Sequence, residues 1–202
     1  MIDRAALKSW AKDSLKDNWG IAIGSFLIYV LIAGVISATG VGGLFTGLIA
    51  LGFTAVCLEF IRTKTAKIET MLPAITDNFG TKFVSTLLVS IFTILWTLLF
   101  IVPGIVKALS YSMTRYILLD RPELSATEAI NESRKMMDGH KMELFVLELS
   151  FIGWILLGII TAGIAMIYVT PYMETTTAAF YETIKGAEAK SEPVNAEETK
   201  SA

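Results

Sequence analysis

Residues 83–120 form one nearly continuous apolar run that is too long to be a single helix. Val84 to Val102 carry no charge, Pro103 and Gly104 interrupt the run, and apolar character resumes to Leu119 with Lys107 and Arg115 inside it. At 1.5 Å per residue one helix over this stretch would be about 55 Å long, against a hydrocarbon core of roughly 30 Å. The chain has to turn back. Pro103 lacks a backbone donor and Gly104 accepts conformations closed to other residues, so the pair predicts a tight turn between two membrane-crossing helices.

The same pattern covers most of the chain. Hydrophobic residues make up 53% and charged residues 18%, with mean hydropathy +0.60, and the apolar residues gather into long runs, as in a polytopic membrane protein. The net charge of −2 and basic residues scattered over several short loops argue against a nucleic-acid partner. The single cysteine, Cys57, excludes an internal disulfide, and among Ala55, Val56 and Leu58 it reads as a small buried hydrophobe. The segment before the first apolar run is too long and amphipathic for a signal-peptide n-region and no small-residue cleavage site follows, so the first helix is expected to stay.

Taken in order, residues 4–18 follow Asp3, a good N-cap, with Leu7, Trp10, Ala11, Leu15 and Trp19 on one face and Arg4, Lys8, Lys12 and Lys16 on another. This suits a helix in the membrane interface, with Trp10, Lys12, Lys16 and Trp19 as lipid contacts; packing on the rest of the protein is the plainer alternative. Gly20 to Ala38 is an uncharged span, Gly40 to Gly43 a flexible turn, and Leu44 to Ile61 a second span, with Gly43 and Gly47 spaced for close packing inside that hairpin. Residues 62–82 keep an apolar stripe of Ile68, Met71, Leu72, Ile75 and Phe79, so a second interfacial helix is expected, with Pro73 near its start. Ser125 to Glu128 form a capping box for a third, which buries Ala129, Ile130, Ser133, Met136 and Met137 and stops at Gly139. His140 has no second histidine to share a metal with. Met142 to Tyr181 is again too long for one crossing; Thr161 to Gly163 is its best turn, and Pro171 should kink the final helix. From residue 186 the composition is that of a disordered tail.

The fold class that follows is all-α: a polytopic membrane bundle of six transmembrane helices in three hairpins, each preceded by an amphipathic interface helix, over residues 1–185, with a tail at 186–202. The three turns carry no charge, whereas the termini and both long loops hold almost every lysine and arginine outside the spans. By the positive-inside rule both termini are cytoplasmic, in a cell membrane.

Ionisable groups inside spans cost a few kcal/mol each on insertion scales, so those here stand out. Lys107 and Arg115 share a face of the fourth expected helix; Glu174 lies on the sixth and Glu148 on the fifth. Arg115, Glu148 and Glu174 come to a similar depth, roughly 16 Å from the outer turns. Arg115 is expected to pair with Glu174, Glu148 or both, either as a structural ion pair that sets helix register or as part of a polar cavity.

Leu95 to Tyr111 (LWTLLFIVPGIVKALSY), Glu128 to Trp154 (EAINESRKMMDGHKMELFVLELSFIGW) and the VTPY and AAFYETI motifs within Thr161 to Ile184 resemble an uncharacterised family of bacterial integral membrane proteins, domain of unknown function 975. The resemblance spans nearly all of residues 1–184. It implies a multi-pass membrane protein of bacterial type and supplies no reaction, ligand or partner.

Two functional expectations remain. One is a non-enzymatic scaffold or modulator of membrane lipids, of a membrane-protein partner, or of a second copy of the chain, without cofactor or metal. The other is a small transporter or channel lined by Lys107, Arg115, Glu148 and Glu174, with helices broken at Pro103 and Pro171. One histidine, one unremarkable cysteine and no nucleophile elbow leave little from which to build an enzyme.

Overall fold

The computed structural model describes residues 2–38, 45–99 and 101–191, and every regular element among them is helical. The Asp3 carboxylate accepts from the Ala5 N–H at 2.9 Å and opens α1 (Arg4–Leu15). Leu7, Ala11 and Leu15 turn inward while Trp10, Lys12 and Lys16 face out. α2 (Trp19–Ser37) follows; the Gly40 to Gly43 turn and Gly43 lie outside the described residues.

α3 (Thr46–Thr63) is the centre of the molecule. It is uncharged up to Glu59, so it has no polar face to give to solvent, and 67% of it is buried, against 17% for α2. α2, α4 (Met71–Thr76) and α11 (Met166–Ser191) pack around it. Small residues allow the close approach: a Cβ on Gly52 would meet the Ile75 side chain at 2.9 Å and the Met71 carbonyl at 3.1 Å. Gly47 faces Thr86 in the same way, at 3.0 Å, so it serves the contact to α5 (Phe79–Leu99), not the hairpin with α2. The residue 62–82 segment forms a 3-10 turn at Ile68–Thr70 and then α4, which buries Met71 and Ala74 and leaves Ile68, Leu72 and Phe79 exposed, so the expected stripe is split.

α5 and α6 (Ile101–Tyr111) pack antiparallel: Thr97 lies against Gly104, Lys107 over the Trp96 ring, and Phe92 beside Tyr111. The chain has therefore reversed before Pro103. Pro103 and Gly104 do not form the turn; both sit in the first turn of α6, where a proline's missing N–H breaks no helical hydrogen bond. Gly104 is there for space, since a Cβ would come within 2.7 Å of the Thr97 Cα.

The fourth expected span is broken at Ser112–Met113 into α6 and α7 (Thr114–Asp120). The Ser125 capping box is present and opens α8 (Ala126–Met136), which buries Ala129, Ile130, Ser133 and Met136, and Gly139 follows at φ +82°. α9 (Lys141–Leu149) and α10 (Ile152–Ile160) are separated by a turn at Ser150–Phe151. The expected turn at Thr161 to Gly163 is there: Ala162 and Gly163 take positive φ, and the Gly158 carbonyl accepts from the Gly163 N–H at 2.7 Å, closing α10. α11 runs through Pro171 without interruption and continues to Ser191, past residue 186; residues 192–202 lie outside the described residues.

Among the described residues four stretches, not six, are long and apolar enough to cross a membrane: Trp19–Ser37, Thr46–Thr63, Phe79–Leu98 and Lys141–Ile160. The two that fall short are those carrying Arg115 and Glu174. Lys107, Arg115 and Asp120 lie in α6 and α7, and Glu174, Glu182 and a run of threonines lie in α11.

Candidate functional site

α7 and α11 run side by side against α3, and this brings Arg115 to Glu174, with 3.6 Å between Nη2 and Oε1. Arg115 keeps about a third of its side chain exposed and Glu174 about a quarter (32% and 23%). Around them sit further buried polar groups: Tyr116, whose hydroxyl is directed to Glu174, Thr175, whose hydroxyl lies beside the Cys57 thiol, and Thr114, whose hydroxyl has no partner among the described residues. Each such group costs about 1–3 kcal/mol if left unmatched, so this is an expensive place to keep polar groups for packing alone. On its other side Arg115 borders a cavity of about 350 Å³ between α3, α5, α6 and α7, whose wall includes Thr86, Ser90, Thr93, Tyr111 and Ser112.

Of the four charges expected to converge, only this pair meets. Glu148, on α9, comes near enough to Glu174 for the two carboxylates to repel but lies beyond ion-pair reach of Arg115, and the Lys107 ammonium sits 5.1 Å from the Trp96 ring centroid. A depth count places residues along a helix axis and says nothing of azimuth, and azimuth separates them. The N-terminal residues divide in a similar way. Trp10 is 36% exposed and Lys16 is exposed, with no aromatic or carbonyl partner for Lys16 among the described residues. Lys12 instead reaches over the Tyr172 ring at 5.6 Å, and Trp19 stacks on Tyr168 with centroids 3.9 Å apart, so part of this face is spent on α11. Lys8 makes the same choice: its ammonium reaches the Ser150 carbonyl at 3.2 Å and the Phe151 ring, and burial, with Arg4 and Lys12 adding to it, lowers its pKa.

A second charged assembly ties the ends of α3, α7 and α11 together. The side chain of Asp120, 9% exposed, accepts from Arg62, from the Tyr181 hydroxyl at 2.8 Å and from Lys185 at 2.5 Å. Arg62 also donates from Nε to Glu182 at 2.7 Å, and Tyr116 and Tyr181 stack at 5.1 Å between this network and the Arg115 pair. Burial disfavours the Asp120 carboxylate, but the hydrogen bonds from Lys185, Arg62 and Tyr181 outweigh it and hold its pKa below the ordinary range. Sequence reading missed this network. Its signal is that Arg62, Asp120 and Lys185 each stand just where an apolar run gives way to polar residues.

His140 shares a 2.8 Å hydrogen bond with Glu143, whose other oxygen accepts from the Ile2 N–H at 3.0 Å; the pair anchors the N-terminus to α9. A family model described as "Protein of unknown function (DUF975)" matches residues 1–110 and 98–188. No curated protein and no solved structure matches the chain.

Proposed function

The chain belongs to the DUF975 family of proteins of unknown function, and we propose that it is a multi-pass membrane protein whose three apolar hairpins enter the bilayer from the cytoplasmic side. Its role in this reading is non-enzymatic: it holds or modulates lipids or a membrane partner at the inner leaflet. One observation carries the proposal. Large apolar side chains are exposed in quantity, and they cluster near the hairpin ends: Leu31 and Val35 on α2, Ile94 and Leu98 on α5, Val102 on α6, Ile159 and Ile160 on α10. An apolar surface of that extent is untenable in water and ordinary in lipid. Residues 20–58, 83–106 and 149–173 contain no Asp, Glu, Lys or Arg, whereas α1, α4, α8 and the Asp120 network gather at the opposite ends. That polarity supports interface helices on one side only, with both termini on the basic, cytoplasmic side.

Six crossings rather than four follow in this reading from pairing. α6–α7 and α11 carry charges that meet each other and cover α3, so they are tolerated as inner helices of the bundle. Purification in mild detergent followed by lipid and protein mass spectrometry tests the role: enrichment of anionic lipid or a stoichiometric membrane partner is expected, and recovery of neither contradicts it.

A small transporter is the second reading, favoured by the 350 Å³ cavity beside Arg115, whose largely apolar wall carries the hydroxyl side chains of Thr86, Ser90, Thr93, Tyr111 and Ser112. Solute flux in proteoliposomes, abolished by Glu174→Gln, would support it; flux that is absent, or indifferent to that change, rejects it.

A further inference from the structure

The cytoplasmic end of the bundle holds a larger cavity, of about 650 Å³, where α3, α4, the start of α5 and the end of α7 meet. Lys82, on the first turn of α5, is part of its wall and is only 3% exposed. Its ammonium has three donors, and one of them is used, on the Ala74 carbonyl at the end of α4, at 2.9 Å. Among the described residues no carboxylate lies within 4.0 Å of it. The other charged groups of the wall leave Lys82 without an ion pair: Arg62 serves Asp120 and Glu182, Glu59 accepts from Thr70 at 2.7 Å, and Asp77, exposed at the rim beyond ion-pair distance, offers Lys82 only a longer-range attraction.

A desolvated ammonium with one neutral acceptor is costly, and such groups are normally paired. Here the cost is raised further by position. A lysine in the first turn of a 21-residue helix faces the positive end of the helix dipole, where an anion is stabilised and a cation is not. We propose that this cavity binds a phosphate-bearing anion, with Lys82 as the charge that receives it and the first turn of α5 as the supporting dipole. Its placement at the cytoplasmic end and the inner leaflet rests on the orientation proposed above; the cavity and Lys82 do not. The phosphate could belong to a soluble metabolite or to an anionic lipid headgroup at the inner leaflet, and the chemistry of recognition is the same.

Isothermal titration calorimetry on the full-length protein in dodecyl maltoside, with inorganic phosphate and separately with dihexanoyl phosphatidylglycerol, tests this. Saturable binding of at least one is expected: phosphate alone marks a soluble anion, the phosphatidylglycerol alone a headgroup. Lys82→Met should weaken it by about tenfold or more. No binding of either, or unchanged binding in Lys82→Met, overturns the proposal. Hydrogen exchange on the wild-type protein keeps the test independent of that variant's folding. Slowing on addition of the bound anion should be confined to the segments that wall the cavity, residues 55–63, 70–82 and 119–122, and slowing elsewhere or none would mean that Lys82 is only the cap of α4.

Discussion

Arg115 and Glu174 meet at 3.6 Å across the α7–α11 contact, each still partly exposed, among the buried polar side chains of Thr114, Tyr116 and Thr175. A pair with this geometry is worth less for the attraction it supplies than for the penalty incurred when one half is removed. Arg115→Met should therefore destabilise the protein by about 1–3 kcal/mol, and Arg115→Met combined with Glu174→Met by less than the sum of the two single changes. Thermal unfolding of the four proteins in one detergent gives the coupling directly; additive effects would mean that the pair does not act as a unit.

The Asp120 network sets an acid limit on stability. Its folded pKa lies below the value of about 3.9 for an unfolded chain. The carboxylate therefore contributes stability that is fully present above that unfolded value and is lost as pH falls through the folded one. Unfolding followed between pH 6 and pH 3 should show a steep loss at the acid end, and Asp120→Asn should flatten it. Asp120→Ala, which strands Arg62, Tyr181 and Lys185, should cost about 1–3 kcal/mol at neutral pH.

Gly104 marks the closest approach of α5 and α6. A methyl group there would stand 2.5 to 2.9 Å from Thr97 atoms, two of them backbone, so relief requires the helices to separate. Gly104→Ala should lower stability by about 1–3 kcal/mol, as overpacking does. Pro103→Ala should be nearly neutral, because a first-turn proline breaks no helical hydrogen bond. A large effect of Pro103→Ala together with none of Gly104→Ala would contradict the assignment of both residues to α6.

Cys57 is fully buried in the middle of α3. In the folded protein it should resist maleimide reagents for hours and react once the bundle unfolds. Its labelling rate across a denaturant series is then a readout of global opening, and fast reaction under native conditions would show α3 to be loosely packed.

What could be read without coordinates was local chemistry. The Asp3 cap, the Ser125 capping box, the stop at Gly139 and the reversal at Thr161 to Gly163 each depend on a few neighbouring residues, and each is present. Pro103 shows the limit of that reading. A proline ends one helix or begins the next with equal ease, and only the packing of Thr97 on Gly104 decides which. The α1 face failed in part for a similar reason: Trp19 and Lys12 suit a headgroup or an aromatic partner alike, and Tyr168 and Tyr172 come close only once α11 folds back. Lys107 shared a face with Arg115 but not a neighbourhood, and Glu148 comes near Glu174 without pairing with Arg115. Lys82 carried no signal at all, because its burial is produced by α4 folding over it.

The most direct test of the three-hairpin arrangement is accessibility of single introduced cysteines in intact cells, with the unreactive Cys57 left in place. Ile164→Cys, 72% exposed beside the third turn, should be labelled by a membrane-impermeant maleimide added outside, whereas Asp77→Cys and Glu123→Cys, in the two basic loops, should label only after permeabilisation. Labelling of Glu123→Cys in intact cells, or protection of Ile164→Cys until permeabilisation, would contradict it.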